Sequence, residues 1–120
     1  MEYILLGVAA GTFAGLMPGI GIFASLLICY PWMLQLSIVE AFSFYLALDT
    51  TTQYIGSVSA TIFGVPGEAS SLPAVTGGNN LYKKGLGGDA ISGAALGSLL
   101  AGLSTVLFLA LLSPYFDYVH

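Results

Sequence analysis

The sequence predicts an all-α integral membrane fold. At roughly 20 residues per crossing helix it has room for about three to five membrane segments, with broken or re-entrant helices at Pro18-Gly19 and Pro66-Gly67. Three observations predict this. The 120 residues are 57% apolar and only 7% charged, with a mean hydropathy of +0.92, whereas soluble domains carry about 25% charged side chains. Residues Ala90 to Ser113 form a run of 24 without a charge. Two Pro-Gly pairs interrupt other apolar stretches, which suits lipid only if the broken backbone is buried in protein or reached by water. Residues 1–120 therefore read as one membrane domain, whose first partner is the lipid bilayer.

The same composition excludes several classes. Lys83 and Lys84 are the whole basic inventory, so no nucleic-acid surface exists. Cys29 stands alone in an apolar run, which leaves no disulfide framework and no cysteine metal site. His120 is the last residue, so histidine catalysis has no support. No nucleophile–base pair or metal cluster appears, so an enzyme is not expected. No Lys or Arg precedes the first apolar run, unlike a secretory signal.

Residues 3–34 open the chain as a broken helix or a hairpin. Gly7, Gly11 and Gly15 fall at four-residue spacing, a stripe that lets a neighbouring helix approach closely. Met17-Pro18-Gly19-Ile20-Gly21 then breaks the run, because proline lacks an N–H and glycine admits unusual dihedrals. From Tyr3 to Tyr30 the 28 residues would span about 42 Å as helix at ~1.5 Å per residue. One broken span and two arms of a re-entrant hairpin both fit. Tyr30-Pro31-Trp32 has the composition of an interfacial end.

Residues 37–76 read as a helix followed by a Pro-Gly re-entrant segment. Ser37 with Glu40 has capping-box spacing. The helix meets Asp49-Thr50-Thr51-Thr52-Gln53, five polar residues in a row. They mark either the far membrane surface or a buried polar site in which Asp49 would be functional. Residues 77–88 read as a loop, with Gly77-Gly78-Asn79-Asn80 as a turn cluster. Lys83 and Lys84 place that loop in the cytoplasm by the positive-inside rule. Residues 89–113 are a transmembrane helix with Asp89 at its start and a second small stripe at Gly93, Gly97 and Ala101. Pro114 is expected to end it, ahead of an aromatic cluster at Tyr115, Phe116 and Tyr118.

The chemistry is expected at the two breaks. Pro18-Gly19-Ile20-Gly21 is followed by Ser25, and Pro66-Gly67 by Ser70 and Ser71. Broken helices place half-helix N-termini, with free N–H groups, near the membrane midplane, where they suit an anion. The competing reading makes each Pro-Gly a simple kink or surface turn. Glu68 would repel an anion, so it is expected to face water or serve a cation.

These residues resemble the large membrane subunit of the tripartite tricarboxylate transporters. Pro18-Gly19-Ile20-Gly21 is similar to that family's Pro-Gly-Leu-Gly motif. Gln53-Tyr54-Ile55-Gly56-Ser57 looks like its Gln-Tyr-Gly-Gly-Ser, with Ile55 in place of a glycine. Gly64-Val65-Pro66-Gly67 looks like Asn-Ile-Pro-Gly, with Gly64 for the asparagine, and Ser70-Ser71 match. Gly78, Lys83, Gly85, Gly88 and Ala90 follow in register. Gly77 replaces an aspartate, Asn79-Asn80 replaces Tyr-Pro, and the family's Tyr-Tyr-Gly is replaced near Asp49-Thr50-Thr51.

The resemblance covers nearly this whole chain but only about a quarter of a family member, similar to part of the N-terminal half. It implies one half of a secondary transporter for tricarboxylates or dicarboxylates, working by alternating access as a symporter in a bacterial inner membrane. A small carboxylate would sit among Pro18, Gly19, Gly21, Ser25, Tyr54, Gly56, Ser57, Pro66, Gly67, Ser70 and Ser71, with Asp49 as a candidate cation ligand. No cofactor is implied beyond a coupling Na+ or H+. The implied partners are a second permease half or a homo-oligomer, a small membrane subunit and a periplasmic binding protein. The alternative is a non-transporting truncated relic or a small membrane assembly module that uses the glycine stripes. A small dimeric multidrug exporter would need a membrane-embedded acid in the first helix, where only Glu2 stands nearby.

Overall fold

The computed structural model describes residues 1–67 and 69–119, and side chains through residue 113. Expectations attached to Glu68, to His120, and to the side chains of Pro114, Tyr115, Phe116 and Tyr118 lie outside the described residues. Every regular element of the described chain is helical. Its long helices are α1 (Glu2–Leu16), α2 (Ile22–Met33), α3 (Ile38–Phe63) and, after the short α4 (Asn79–Lys83), α5 (Gly87–Val119).

The α1–α3 pair is the frame. A Cβ on Gly7 would lie 2.6 Å from the Phe44 carbonyl, on Gly11 2.7 Å from that of Leu48, and on Gly15 2.8 Å from that of Thr52. No side chain fits there, so the glycine stripe lets the two backbones touch. Both sets of numbers climb together, so α1 and α3 run in the same direction. Ser59 adds a tie, its Oγ donating to the Gly15 carbonyl at 3.0 Å.

Between them the chain must turn back, and it does so at the first Pro-Gly break. Gly19 takes a φ of 88°, open to glycine without a Cβ penalty. Helix α2 then returns, and its Trp32 ring lies tilted 6.1 Å from Tyr3 and meets Phe44 edge-on at 5.1 Å. Of the two readings of residues 3–34, the backbone adopts the hairpin. The arms are 15 and 12 residues long, about 22 and 18 Å at ~1.5 Å per residue. Pro31 lies inside α2 and does not end it.

The capping box forms as its spacing predicts. Glu40 N–H donates to Ser37 Oγ, and Ser37 N–H donates to Glu40 Oε2 at 3.0 Å. From there α3 runs unbroken for 26 residues, about 39 Å at ~1.5 Å per residue. Asp49 to Gln53 therefore sit at its middle and not at an end. Gly64, with φ 70°, terminates it in the left-handed conformation, its N–H closing on the Ala60 carbonyl at 2.9 Å.

Beyond Gly64 the chain doubles back beside α3. Ala69–Ser71 forms one 3-10 turn, Ala74–Gly78 is wound as π-helix, and α4 follows directly. The expected loop over 77–88 is thus corrected: Gly77 to Lys83 are helical, and the connection to α5 is Lys84 to Leu86, with Gly85 at φ 82°. Two of the residues expected to turn, Gly78 and Asn79, serve contact with α3 instead. A Cβ on Gly78 would strike Thr61 Oγ1 at 2.6 Å. Asn79 is buried and its Nδ2 donates to the Thr61 carbonyl at 2.9 Å and to that of Ile62 at 3.3 Å. Those carbonyls are among the orphans of a helix C-terminus, so one side chain both caps α3 and tethers the return arm.

Helix α5 begins at Gly87, two residues before the expected start, and its backbone stays helical past Pro114 to Val119. Its segment Gly87–Ser113 is long and apolar enough to cross a membrane, and it is not covered by the rest of the chain. The interior is unlike a soluble core. Ser25, Thr52, Ser59, Thr61, Ser71 and Asn79 are buried, while Phe13, Phe23, Leu27, Ile28, Leu103 and Leu111 are exposed. Soluble folds bury large apolar side chains and expose polar ones.

Candidate functional site

The two breaks meet at the middle of α3. Gly15, Ile20 and Gly21 from the first hairpin, Thr52, Gln53 and Gly56 from α3, and Gly67, Ser70 and Ser71 from the second break line one crevice of about 10 Å³, the space of a single water. A Cβ on Gly67 would stand 4.0 Å from the Cα of Gly56, so backbone nearly faces backbone. The Gly67 N–H donates to Ser71 Oγ at 3.1 Å, which folds the second break into a compact turn.

Beside this crevice opens a polar cavity of about 370 Å³, lined by Thr50, Gln53, Tyr54, Ser57, Ser70, Ser71 and Ser98. Its volume falls in the range of small-molecule sites. The α3 residues recur every three or four positions, so they share one helix face. Their hydrogens are already directed. Thr50 Oγ1 donates to the Leu46 carbonyl at 2.7 Å and Ser57 Oγ to that of Tyr54 at 2.8 Å. Ser98 Oγ donates to the Ala94 carbonyl at 2.9 Å. Asp49 does not line the cavity; its Oδ1 accepts from Gln53 Nε2 at 2.8 Å.

The structure brings together most residues expected from sequence. Tyr54, Ser57, Ser70 and Ser71 line the cavity, and Gly21, Gly56 and Gly67 line the crevice. Pro18 and Gly19 are exposed at the hairpin turn, where they shape the tip while Ile20 reaches the crevice. Pro66 likewise lies in the turn. Ser25 is elsewhere: it is buried, donates to the Gly21 carbonyl at 3.1 Å, and borders an apolar cavity with Phe13, Cys29 and Leu48. A helical hydroxyl one turn after a break bonds back to its own i−4 carbonyl, which withdraws Ser25 from the crevice.

Sequence reasoning missed Thr50, Gln53 and Ser98. The first two carried a signal, since positions 50, 53, 54 and 57 make one face once α3 is read as unbroken. Ser98 carried none, being one hydroxyl in an apolar helix. Among the described residues no group of three or more His, Cys, Asp or Glu could hold a metal.

An exterior rich in leucine and phenylalanine, buried hydroxyls among Ala14, Phe44, Leu48 and Ala60, and two broken-backbone turns converging on a polar helix middle fit an all-α membrane protein. Residues 1–120 match the tripartite tricarboxylate transporter TctA family across the whole chain, and the chain belongs to that family. It is also similar to a protein of Agrobacterium vitis described as an uncharacterized 52.8 kDa protein in the TAR-I ttuC' 3' region. The identity is 35% over 112 residues, covering 93% of this chain and 22% of that protein. The chain therefore spans about a fifth of that relative's length. No solved structure matches.

Proposed function

We propose that this chain forms one part of a carboxylate permease, a membrane subunit of a tripartite transporter, and that substrate binds where the two breaks meet α3. The observation that carries the reading is the convergence of Gly21, Gly67 and Ser71 on Thr52–Gly56, with a polar cavity of about 370 Å³ alongside. Two turns reaching one level of α3 from opposite ends form the arrangement by which discontinuous helices hold solutes at a membrane midplane. The backbone of Gly21 and Gly67 is the surface proposed to meet a carboxylate, with Tyr54, Ser57, Ser70 and Ser71 the side chains beside it.

In the proposed topology α1–α2 is a re-entrant hairpin, α3 crosses, residues 64–83 re-enter from the other side, and α5 crosses back. With Lys83 and Lys84 in the cytoplasm, Met1 lies on the outer face of an inner membrane. Transport is by alternating access, driven by a coupling Na+ or H+. The cavity is open rather than enclosed, which supports completion by a second permease half or by another copy. A small membrane subunit and a periplasmic binding protein are the further partners that family membership suggests.

The test is uptake of radiolabelled citrate and of succinate in cells making this chain, with and without a second permease half. Uptake that appears with the partner and disappears in Gly67→Val, with membrane insertion unchanged, is the expected outcome. The crevice beside Gly67 holds no more than a water, so a branched side chain there blocks the meeting of the two turns. Uptake undiminished in Gly67→Val reduces the second break to a kink and removes the site.

A further inference from the structure

The two lysines stand where the connection from α4 to α5 meets the end of the apolar span. Lys83 closes α4, Lys84 follows it, and the segment able to cross a membrane begins at Gly87. No other lysine or arginine is present in the sequence, and among the described residues neither lysine forms an ion pair. Beside them lies an open groove of about 660 Å³, lined by Tyr82, Lys83, Gly85, Gly87, Gly88 and Ile91. Glycines shape it. A Cβ on Gly87 would strike the Tyr82 ring at 2.5 Å, so that ring packs on bare backbone and joins α4 to α5. At Gly85 and Gly88 a Cβ would meet nothing within 4 Å. Gly85 answers to its φ of 82°. Gly88 sits in ordinary helix, so there the missing side chain serves only the space.

The groove is graded in polarity along α5. Lys83 marks one end. The first backbone bond into α5 runs from Ala90 N–H to the Leu86 carbonyl at 3.1 Å, so the earlier N–H groups of that helix stand outside its ladder. Ile91 marks the other end, about 6 Å into the span at ~1.5 Å per residue. The nearest acid in sequence stays out. Asp89 is two residues from both Gly87 and Ile91, about 200° around the helix at 3.6 residues per turn, and it does not line the groove.

We infer that this groove seats an anionic phospholipid, with Lys83 against the phosphate, the Tyr82 ring at headgroup level and an acyl chain passing Ile91. Tyrosine favours the membrane–water interface, and lysine lays its apolar stem along such a surface while its charge reaches the headgroups. A soluble anion would meet Lys83 but leave Ile91 and the glycine space unused. A zwitterionic headgroup would bring a cation of its own toward the lysine. Two lysines are fewer than a basic segment needs to hold an anionic leaflet by charge alone, so the groove at one of them is what makes a site. The lipid would bridge α4, already tied to α3 through Asn79, to the crossing helix α5. The inference requires that the chain lie in a membrane and is independent of what the chain transports.

The full chain is purified in a neutral detergent and given equimolar phosphatidylglycerol and phosphatidylethanolamine, and the lipid that stays bound is weighed by native mass spectrometry. One phosphatidylglycerol should be retained in preference. Lys83→Gln should weaken it by clearly more than the roughly fivefold that any lysine near an anionic surface is worth, and Lys84→Gln, outside the groove, by no more than that. Gly88→Leu changes no charge and fills the groove, so retention should be lost while the unfolding midpoint, followed by Trp32 fluorescence, stays near that of the unchanged protein. If Gly88→Leu does not fold, the contrast between the two lysines still decides. Inorganic phosphate at the lipid's concentration should displace nothing.

Equal retention of the two lipids overturns the inference. Equal losses in Lys83→Gln and Lys84→Gln reduce it to general attraction between two charges and an anionic surface. Undiminished retention in folded Gly88→Leu removes the groove from it. Displacement by inorganic phosphate would make the groove a site for soluble anions instead. Failure of carboxylate uptake leaves all of these measurements untouched.

Discussion

Helices α1 and α5 carry stripes that look alike in sequence, Gly7-Gly11-Gly15 in one and Gly93-Gly97-Ala101 in the other. In α1 each glycine sits against the backbone of α3, with room for no further atom. In α5 a Cβ on Gly93 or Gly97 would meet nothing within 4 Å, and Leu96, Leu99, Leu100 and Leu103 beside them are exposed. The stripe sets how near a helix can come. Whether one comes depends on a second surface of matching register, which α3 supplies along its middle. Residues 44, 48, 52 and 56 repeat every four positions, as the α1 glycines do.

The largest expected effect tests this contrast directly. Gly11→Ile drives a branched side chain into the Leu48 carbonyl and the Thr51 side chain, and overpacking of this kind costs about 1–3 kcal/mol or more. Gly97→Ile should move stability by less than about 0.5 kcal/mol, as for other open positions. Thermal unfolding in detergent with size-exclusion profiles measures both, and equal losses would erase the distinction. A middle effect comes from the far end of α3. Asn79→Ala strands the Thr61 and Ile62 carbonyls, a loss of about 1–3 kcal/mol for buried groups left unpaired. Exposed Asn80→Ala, whose Nδ2 bonds only to the Thr76 carbonyl one turn away, should change little. The smallest effect sharpens the seam itself. Ser59→Ala removes the bond to Gly15 and should cost about 0.6 kcal/mol, near the average for such bonds between membrane helices. Ser104→Ala on α5, whose hydroxyl bonds only within its own helix, should be silent.

Much of this was legible in the residues. The α1 stripe, the Ser37–Glu40 capping box, both breaks and the uncharged α5 each announce themselves locally. The hairpin did not, because Pro18-Gly19 permits a kink and a reversal equally, and the choice lies with the Trp32 ring packing against Tyr3 and Phe44. Nor did the helicity of residues 77–83. Gly77-Gly78-Asn79-Asn80 has turn composition, but tertiary contact with Thr61 and the end of α3 overrides it, and a π-turn absorbs the register. The site followed the same divide. Tyr54, Ser57, Ser70 and Ser71 came from motif and hydroxyl content. Gln53 and Thr50 required knowing that α3 passes unbroken through a polar run, and Ser98 required knowing which helix lies alongside.

That polar run at the middle of α3 bears on how the chain is made. The machinery that sorts nascent segments into lipid penalises an aspartate at a helix centre by about 3 kcal/mol, and Asp49 occupies that place together with four more polar residues. Alone, α3 is a weak candidate for entry. Helix α1 precedes it in the chain and carries the groove that fits it, while α5, which follows it, is apolar enough to cross without such help. The glycines that pack the finished protein would then also order its biogenesis, the first hairpin receiving the helix that lines the candidate site.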